Sequence, residues 1–411
     1  MQANYVRNVN SSGNVNYNHY DNEGGVRPFW RKVKQSRRTP NLAPRRQKNK
    51  QPFLAQLRLR KDKYKGIYMF DKITDFENLY KAYRKSISGK GYTQSRVKFQ
   101  AAALDGILRL RQQLIDKSYT VSEYNEFMVF DPKERLIKAG SFKDKIVQHS
   151  LCDNVLLPLV SKQFLLDNYA GQIGKGTLFG LNRLKEQMLS AYEKYGMDCW
   201  IVKADISKFF YNINHDNLKD IVSYHVDDPN VVWLCEKFID STDGVGLPLG
   251  NQVSQVFALL YLDGMDKFIC GELGIEYYGR YMDDFYLVHH NKQYLKDCLE
   301  AITAFVNNLG LSLNNKTQII PFKNGIKFCG FHTYLASGGK VIRKLKNENK
   351  RAAQKKFRRM AKLVVSGKLS KEKFNESYKA WKNHASHGNC FKMLRNMDIM
   401  VEEIICGGGE N

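Results

Sequence analysis

The chain is short of acid, of long apolar runs and of paired cysteines, and each shortage removes a class of protein. Against 65 Lys and Arg stand 41 Asp and Glu, a formal net charge of +24 over 411 residues. A chain with this much positive charge is expected to meet a polyanion, most often nucleic acid. A merely soluble basic protein is the alternative. No apolar run approaches the ~20 residues of a membrane span, and no secretory signal is read at the start, so no membrane partner is expected. The eight cysteines, Cys152, Cys199, Cys235, Cys270, Cys298, Cys329, Cys390 and Cys406, show no Cys-x-x-Cys spacing. They read as reduced thiols of a cytoplasmic protein, with no zinc site. The 43% hydrophobic content is enough for a sizeable core in two or three subdomains.

Among the acids that are present, Tyr281-Met282-Asp283-Asp284 holds an adjacent pair. Aromatic and β-branched residues flank it, Ile275 to Arg280 before and Phe285 to Val288 after, which predicts two strands joined by a tight turn with both carboxylates at its tip. Neighbouring carboxylates repel, so a site that keeps two holds a cation beside them. A plain polar Asp-Asp turn is the other reading. Asp205 ends a further strand-like run, Cys199 to Ala204, and Ile206-Ser207-Lys208-Phe209-Phe210 follows it. Three acids gathered at strand ends can hold two hard divalent ions. Such a pair activates an attacking oxygen and stabilises a leaving one in phosphoryl transfer.

The runs Lys203 to Phe210 and Tyr281 to Asp284 resemble motifs A and C of reverse transcriptases. Gly246-Leu247-Pro248-Leu249-Gly250-Asn251-Gln252-Val253-Ser254-Gln255 opens a predicted helix running towards Phe268, and its glycines let backbone approach a ligand closely. It is similar to motif B, which contacts template base and incoming nucleotide. Most reverse transcriptases read Gln-Gly-x-x-x-Ser-Pro there. Leu249, Gly250, Ser254 and Gln255 instead match the form in reverse transcriptases of diversity-generating retroelements, bacterial or phage members of the group II intron-like superfamily.

The resemblance implies roles. Asp205, Asp283 and Asp284 would be metal ligands, with the Ile206 carbonyl as a fourth protein oxygen and two Mg2+ ions as cofactors. Phe210, five positions after Asp205, would be an aromatic gate against a 2′-hydroxyl; a core phenylalanine is the alternative. Lys316, within the motif D-like Leu309 to Thr317, would protonate departing pyrophosphate; a surface lysine in a turn is the alternative. Phe328-Cys329-Gly330 would be the primer grip. A hairpin is predicted from Phe127–Phe130 and Arg135–Ala139, and Arg135, with Lys133 second, would meet the triphosphate; a solvated basic hairpin is the alternative.

The remaining chain is read by composition and period. Residues 1–28, rich in Asn, show no apolar period, so neither helix nor strand is expected there. In the resembled family, template adenines are the positions that mutate and template repeats are rich in asparagine codons. The expectation is that the reading frame opens inside such a repeat, an ordinary polar tail being the alternative. Residues 29–65 are basic and read as an RNA-contacting arm. Helical spacing of Phe76, Leu79, Tyr80 and Tyr83, then Phe99, Ala102, Leu104, Ile107, Leu108 and Leu110, predicts core-facing helices. Gly174-Lys175-Gly176-Thr177 suggests a phosphate cradle without the full spacing of a nucleotide loop. From Lys340 to Arg395 a basic helical segment is predicted, its apolar positions Ala352, Ala353, Phe357, Met360, Leu363 and Val364.

The expected fold is therefore α+β, a right-hand polymerase. Its parts are an N-terminal extension over 1–65, fingers over 66–195, a palm with primer grip over 196–335 and a helical thumb and tail over 336–411. The expected function is RNA-directed DNA polymerisation in a diversity-generating retroelement. The partners are a template RNA, a primer or cDNA strand, dNTPs and a basic accessory variability protein. A phage-defence reverse transcriptase of the same fold is the nearest alternative. A non-catalytic RNA-binding scaffold is the distant one, and would be marked by a lost carboxylate.

Overall fold

The computed structural model describes residues 69–88, 94–130, 134–336 and 338–407, and the backbone of 7–9 and 15–17. Lys133, the basic stretch 29–65 and the last glycines, Gly408 and Gly409, lie outside the described residues. By internal contacts the chain divides into two units, Met1–Pro52 and Phe53–Asn411. In the first, Arg7–Val9 (β1) pairs antiparallel with Val15–Tyr17 (β2), Asn8 opposite Asn16. This hairpin corrects the expectation of no strand in 1–28. Val and Asn alternate on both sides of an Asn-Ser-Ser-Gly-Asn connection, a period of two around turn-forming residues.

The second unit begins with helices α1 (Met69–Thr74), α2 (Phe76–Ile87), α3 (Gln94–Ala101) and α4 (Ala103–Ile115). Asp75 caps α2 by accepting from the Asn78 N–H. Leu79, Tyr83, Ile107 and Leu110 are buried as expected, but Leu104 and Leu108 are exposed and Phe76 stacks on Tyr80 at the surface. The predicted apolar stripe is wider than the face that packs. β3 (Asn125–Val129) and β4 (Arg135–Ala139) form the expected hairpin, Val129 opposite Arg135. Then α5 (Phe142–Leu151), capped by Ser141, runs through a π turn into α6 (Leu157–Val160). α7 (Thr177–Tyr195) follows.

A four-stranded antiparallel sheet stands at the centre, β5 (Trp200–Asp205), β6 (Tyr277–Tyr281), β7 (Asp284–His289) and β8 (Gln318–Pro321), in the order β6-β7-β5-β8. Strand periodicity divides its side chains between two cores. Val202, Ala204, Phe285 and Leu287 join a core built with α8 (Phe209–Asn212), α9 (His215–His225), α10 (Pro229–Ile239), α11 (Gln252–Tyr261), α12 (Asp263–Lys267) and α13 (Lys292–Asn308). Ile201, Tyr286 and Val288 join a second, with Leu184, Met188 and Ala191 of α7. α9, which begins at His215, is capped by Asn214, whose side chain accepts from the Asn217 N–H.

A three-stranded sheet, β9 (Ile326–Phe328), β10 (Phe331–Leu335) and β11 (Val341–Leu345), leads to a bundle of α14 (Asn347–Val365), α15 (Lys371–Ala385) and α16 (Phe391–Gly407). Its core gathers Ala353, Phe357, Ala361, Phe374, Tyr378, Met397 and Val401. Ala352, expected among the apolar positions, is exposed, and the buried stripe is Ala353, Phe357 and Ala361 at i, i+4 spacing. No described helix is long and apolar enough to cross a membrane.

Candidate active site

The site is built at one end of the central sheet. Asp205 is the last residue of β5 and Asp284 the first of β7, and the register sets them directly opposite each other. The turn between β6 and β7 is Met282-Asp283, so Asp283 alone occupies its tip and Asp284 already belongs to a strand. That refines the expectation of both carboxylates at the tip. Met282 has φ 56°, a left-handed conformation that costs a residue with a β-carbon about 1–2 kcal/mol. The Asp283 carbonyl accepts from the Ile206 N–H at 3.1 Å, which ties the turn to the segment after Asp205.

Burial, and then the charge of Asp205, hold the Asp283 carboxyl above its ordinary value, while Arg135 and Lys203 pull it the other way. Two acids and a cation of the β3–β4 hairpin therefore share one field. Lys203, two residues before Asp205 on the same strand face, reaches the Asp284 carboxylate and lies 5.6 Å from the Phe328 ring centre. Burial lowers its ammonium to about 8, against the raising influence of Asp205; Lys346 lowers it further. Among the described residues no three His, Cys, Asp or Glu are gathered tightly enough to hold a metal ion on their own. The donor set is nonetheless all hard carboxylate oxygen, which suits a divalent cation of the magnesium type. The mutual repulsion of Asp205 and Asp283 is what such a cation would relieve.

Around the acids the other expected residues fall into place unevenly. Arg135 is exposed at the start of β4. Phe210 is half-buried, edge-on to the buried Phe209 at 5.6 Å, and its carbonyl accepts from the Leu247 N–H at 2.7 Å. The motif B-like loop is thereby tied to the segment that follows Asp205. Leu249 is half-buried and its carbonyl accepts from the Lys138 N–H of β4. A Cβ at Gly250 would come within 3.1 Å of Ile137, at φ 105°, so the loop packs beneath the hairpin only as glycine. Ser254 is buried and Gln255 exposed on α11. Lys316 is exposed in a loop whose Asn314 donates its backbone N–H to the Asp205 carbonyl at 2.7 Å and its Nδ2 to the carboxylate at 3.3 Å. Phe328, fully buried, precedes Cys329 and Gly330, both at positive φ, in the β9–β10 turn.

One expectation changes. Lys175 donates to the carbonyls of Leu165, Leu166 and Asn168, so its ammonium staples its own loop and Gly174 to Thr177 is no open phosphate cradle. The segment just before it instead abuts the β6–β7 turn, with Gly171 close to Met282. The structure also adds residues that the motifs did not single out, Lys203, Arg280, Asp266 and Asn314. Lys203 was findable as a charge two positions from Asp205, hence on one strand face with it. Arg280 was findable as a charge inside an otherwise apolar strand. Asp266 and Asn314 carried no local signal.

The description reverse transcriptase (RNA-dependent DNA polymerase) belongs to the family whose profile matches residues 132–333. The matched span holds Asp205, the motif B-like loop, Asp283-Asp284, Lys316 and the β9–β10 turn. A curated protein of Schizosaccharomyces pombe, described as an uncharacterised 91 kDa protein in a cob intron, is 24% identical over 202 residues. The alignment takes in 46% of this chain and 24% of that relative, so the chain spans about a quarter of the length of the curated relative it matches. Residues 132–333 are thus similar to reverse transcriptase domains, whose fold is the right-hand polymerase and whose chemistry is RNA-directed DNA polymerisation, a nucleotidyl transfer.

Proposed function

We propose that this chain copies an RNA template into DNA, with Asp205, Asp283 and Asp284 as catalytic carboxylates and Asp205 and Asp283 as the first pair to share a cation. The observation that carries the reading is the opposition of Asp205 and Asp284 across the β5–β7 ladder, with the Asp283 carboxyl raised by burial and then by the charge of Asp205. The Ile206 carbonyl completes the oxygen set. Two Mg2+ ions held there would lower the pKa of the primer 3′-hydroxyl and neutralise the charge developing on the phosphates. The 3′-oxygen forms a bond to the α-phosphorus as the bond to pyrophosphate breaks. Lys316 supplies a proton to the leaving pyrophosphate, and Arg135, with Lys133, holds the triphosphate. Phe328-Cys329-Gly330 keeps the primer end still, which is where positioning contributes to rate. The working division is fingers over 66–195, palm over 196–335 and thumb over 336–411.

Asp283→Asn removes a ligand charge and leaves the basic surfaces alone. Primer extension is expected to fall by about a thousandfold or more, while RNA affinity in a filter or gel assay stays within about twofold. Extension at the wild-type rate sinks the assignment.

We further propose that the element served is of the diversity-generating type, with a basic accessory protein as partner. Leu249 and Gln255 support it, since they depart from the common Gln…Pro form. Leu249 stands where an amide could hydrogen-bond near the nascent pair, and losing such a bond lowers discrimination. Leu249, Gly250, Ser254 and Gln255 would then set base selection. Leu249→Gln is expected to reduce misincorporation opposite template adenine several-fold in sequenced cDNA. A wild type with few errors opposite adenine favours the phage-defence reading instead.

A further inference from the structure

Arg280 is among the largest fully buried side chains of the molecule. Its Nε donates to Asp266 Oδ1 at 2.6 Å and its Nη2 to Asp266 Oδ2, with both side chains fully shielded from solvent. Its remaining arm, Nη1, donates to the Met282 carbonyl at 2.9 Å. Asp266 also accepts from the Tyr278 hydroxyl and from Asn168 Nδ2. The Arg280 backbone is held as well, its N–H by the Asp167 carbonyl and its carbonyl by the Tyr169 N–H, both at 2.9 Å. Three segments therefore meet on one residue: the loop before α7, the helix that continues α11, and the turn carrying Asp283.

A buried ion pair stabilises a fold little better than apolar residues of the same shape. Its worth here lies in direction. Met282 sits in a left-handed conformation that its side chain disfavours, and such a residue persists only where its surroundings over-determine it. The guanidinium fork is rigid, so fixing two nitrogens on Asp266 aims the third. We propose that Arg280 is the positioning residue of the catalytic turn: anchored on Asp266, it holds the Met282 carbonyl and through it sets Asp283 against Asp205. The proposal rests on the carboxylate reading above and extends it one step outward.

Arg280→Lys separates the two jobs. Lysine keeps a cation beside Asp266 but has no fork to reach Met282. The metal-free protein is expected to unfold within a few degrees of wild type. Its Ile206 amide, bonded to the Asp283 carbonyl, should exchange hydrogen at least tenfold faster. Mn2+ binding followed by electron paramagnetic resonance should weaken about tenfold. The kcat of extension should fall tenfold or more, with KM for primer–template unchanged. Arg280→Met with Asp266→Asn removes both charges yet leaves an acceptor for Tyr278, and the same defects should appear in it. Ile206 exchange and kcat at wild-type values in Arg280→Lys overturn the proposal. So does a double variant whose exchange and Mn2+ binding are both normal. If wild type and Asp283→Asn bind Mn2+ equally, the carboxylate reading fails instead, and Ile206 exchange in Arg280→Lys still decides whether the brace exists.

Discussion

The end of the central sheet and the C-terminal bundle use charge in opposite ways. At the sheet end the inner charges have fixed neighbours: Asp205 faces Asp284, Lys203 touches Asp284, and Arg280 is locked between Asp266 and Met282. On α14 most charges face solvent. Seven Lys and Arg stand against one Glu, and Arg351, Lys355, Lys356, Arg358, Arg359 and Lys362 are all exposed, while Ala353, Phe357 and Ala361 turn inward. Transferring a nucleotide needs atoms held to a fraction of an ångström, whereas binding a phosphate backbone needs only enough cations near it. The sheet end should therefore fail at single atoms and the bundle by degrees.

The sharpest break in that comparison comes from the bundle's core. Phe357 is fully buried and meets Phe374, Tyr378 and Trp381 at ring distances of 5.0–6.2 Å. Phe357→Ala should cost about 3–5 kcal/mol, read as a lower unfolding temperature for the transition that includes α14–α16. Single-turnover extension on pre-bound primer–template, measured below that transition, should be nearly unchanged. A large loss there would mean that the bundle also sets the chemistry. Next in size is the triple change of Arg351, Lys355 and Arg358 to Ala. It should weaken primer–template binding and flatten the dependence of log affinity on log salt by about one for each phosphate left without its cation, with kcat preserved. An unaltered salt slope would move the binding surface elsewhere.

The same contrast explains what can be read without a structure. Short β-branched and aromatic runs beside Asp205 and Asp283 mark the strands β5, β6 and β7, because period-two burial leaves its trace in consecutive residues. The α14 helix is equally plain from its i, i+4 apolar spacing. Long-range contacts are invisible. Nothing local marks Asp266 as the partner of a residue 14 positions on, or Asn314 as the neighbour of Asp205. The hairpin β1–β2 escapes such a reading because its alternation is of Val with Asn, polar enough to pass for an unstructured tail. Lys175 misleads because a Gly-Lys-Gly-Thr run looks like a cradle until three carbonyls are found on its ammonium.

Phe210 gives the smallest expected effect and the cleanest test of the sheet end. Two phenylalanines follow Asp205, and burial tells them apart. Phe209 is 2% exposed and takes the core position. Phe210 is half-buried, so part of it stays open to solvent, and its carbonyl accepts from the Leu247 N–H of the motif B-like loop. If that open edge is the wall beneath the sugar, a 2′-hydroxyl must be forced against a packed ring, and overpacking of this kind costs about 1–3 kcal/mol. Phe210→Ala removes the wall. The ratio of kcat/KM for dNTP over rNTP should then fall about tenfold or more, with dNTP incorporation changed little. Phe209→Ala should do the reverse, lowering stability and leaving the ratio alone. A ratio that stays put in Phe210→Ala assigns the gate to another residue, and a ratio that falls in Phe209→Ala shows that the core, not the open ring, shapes the sugar pocket.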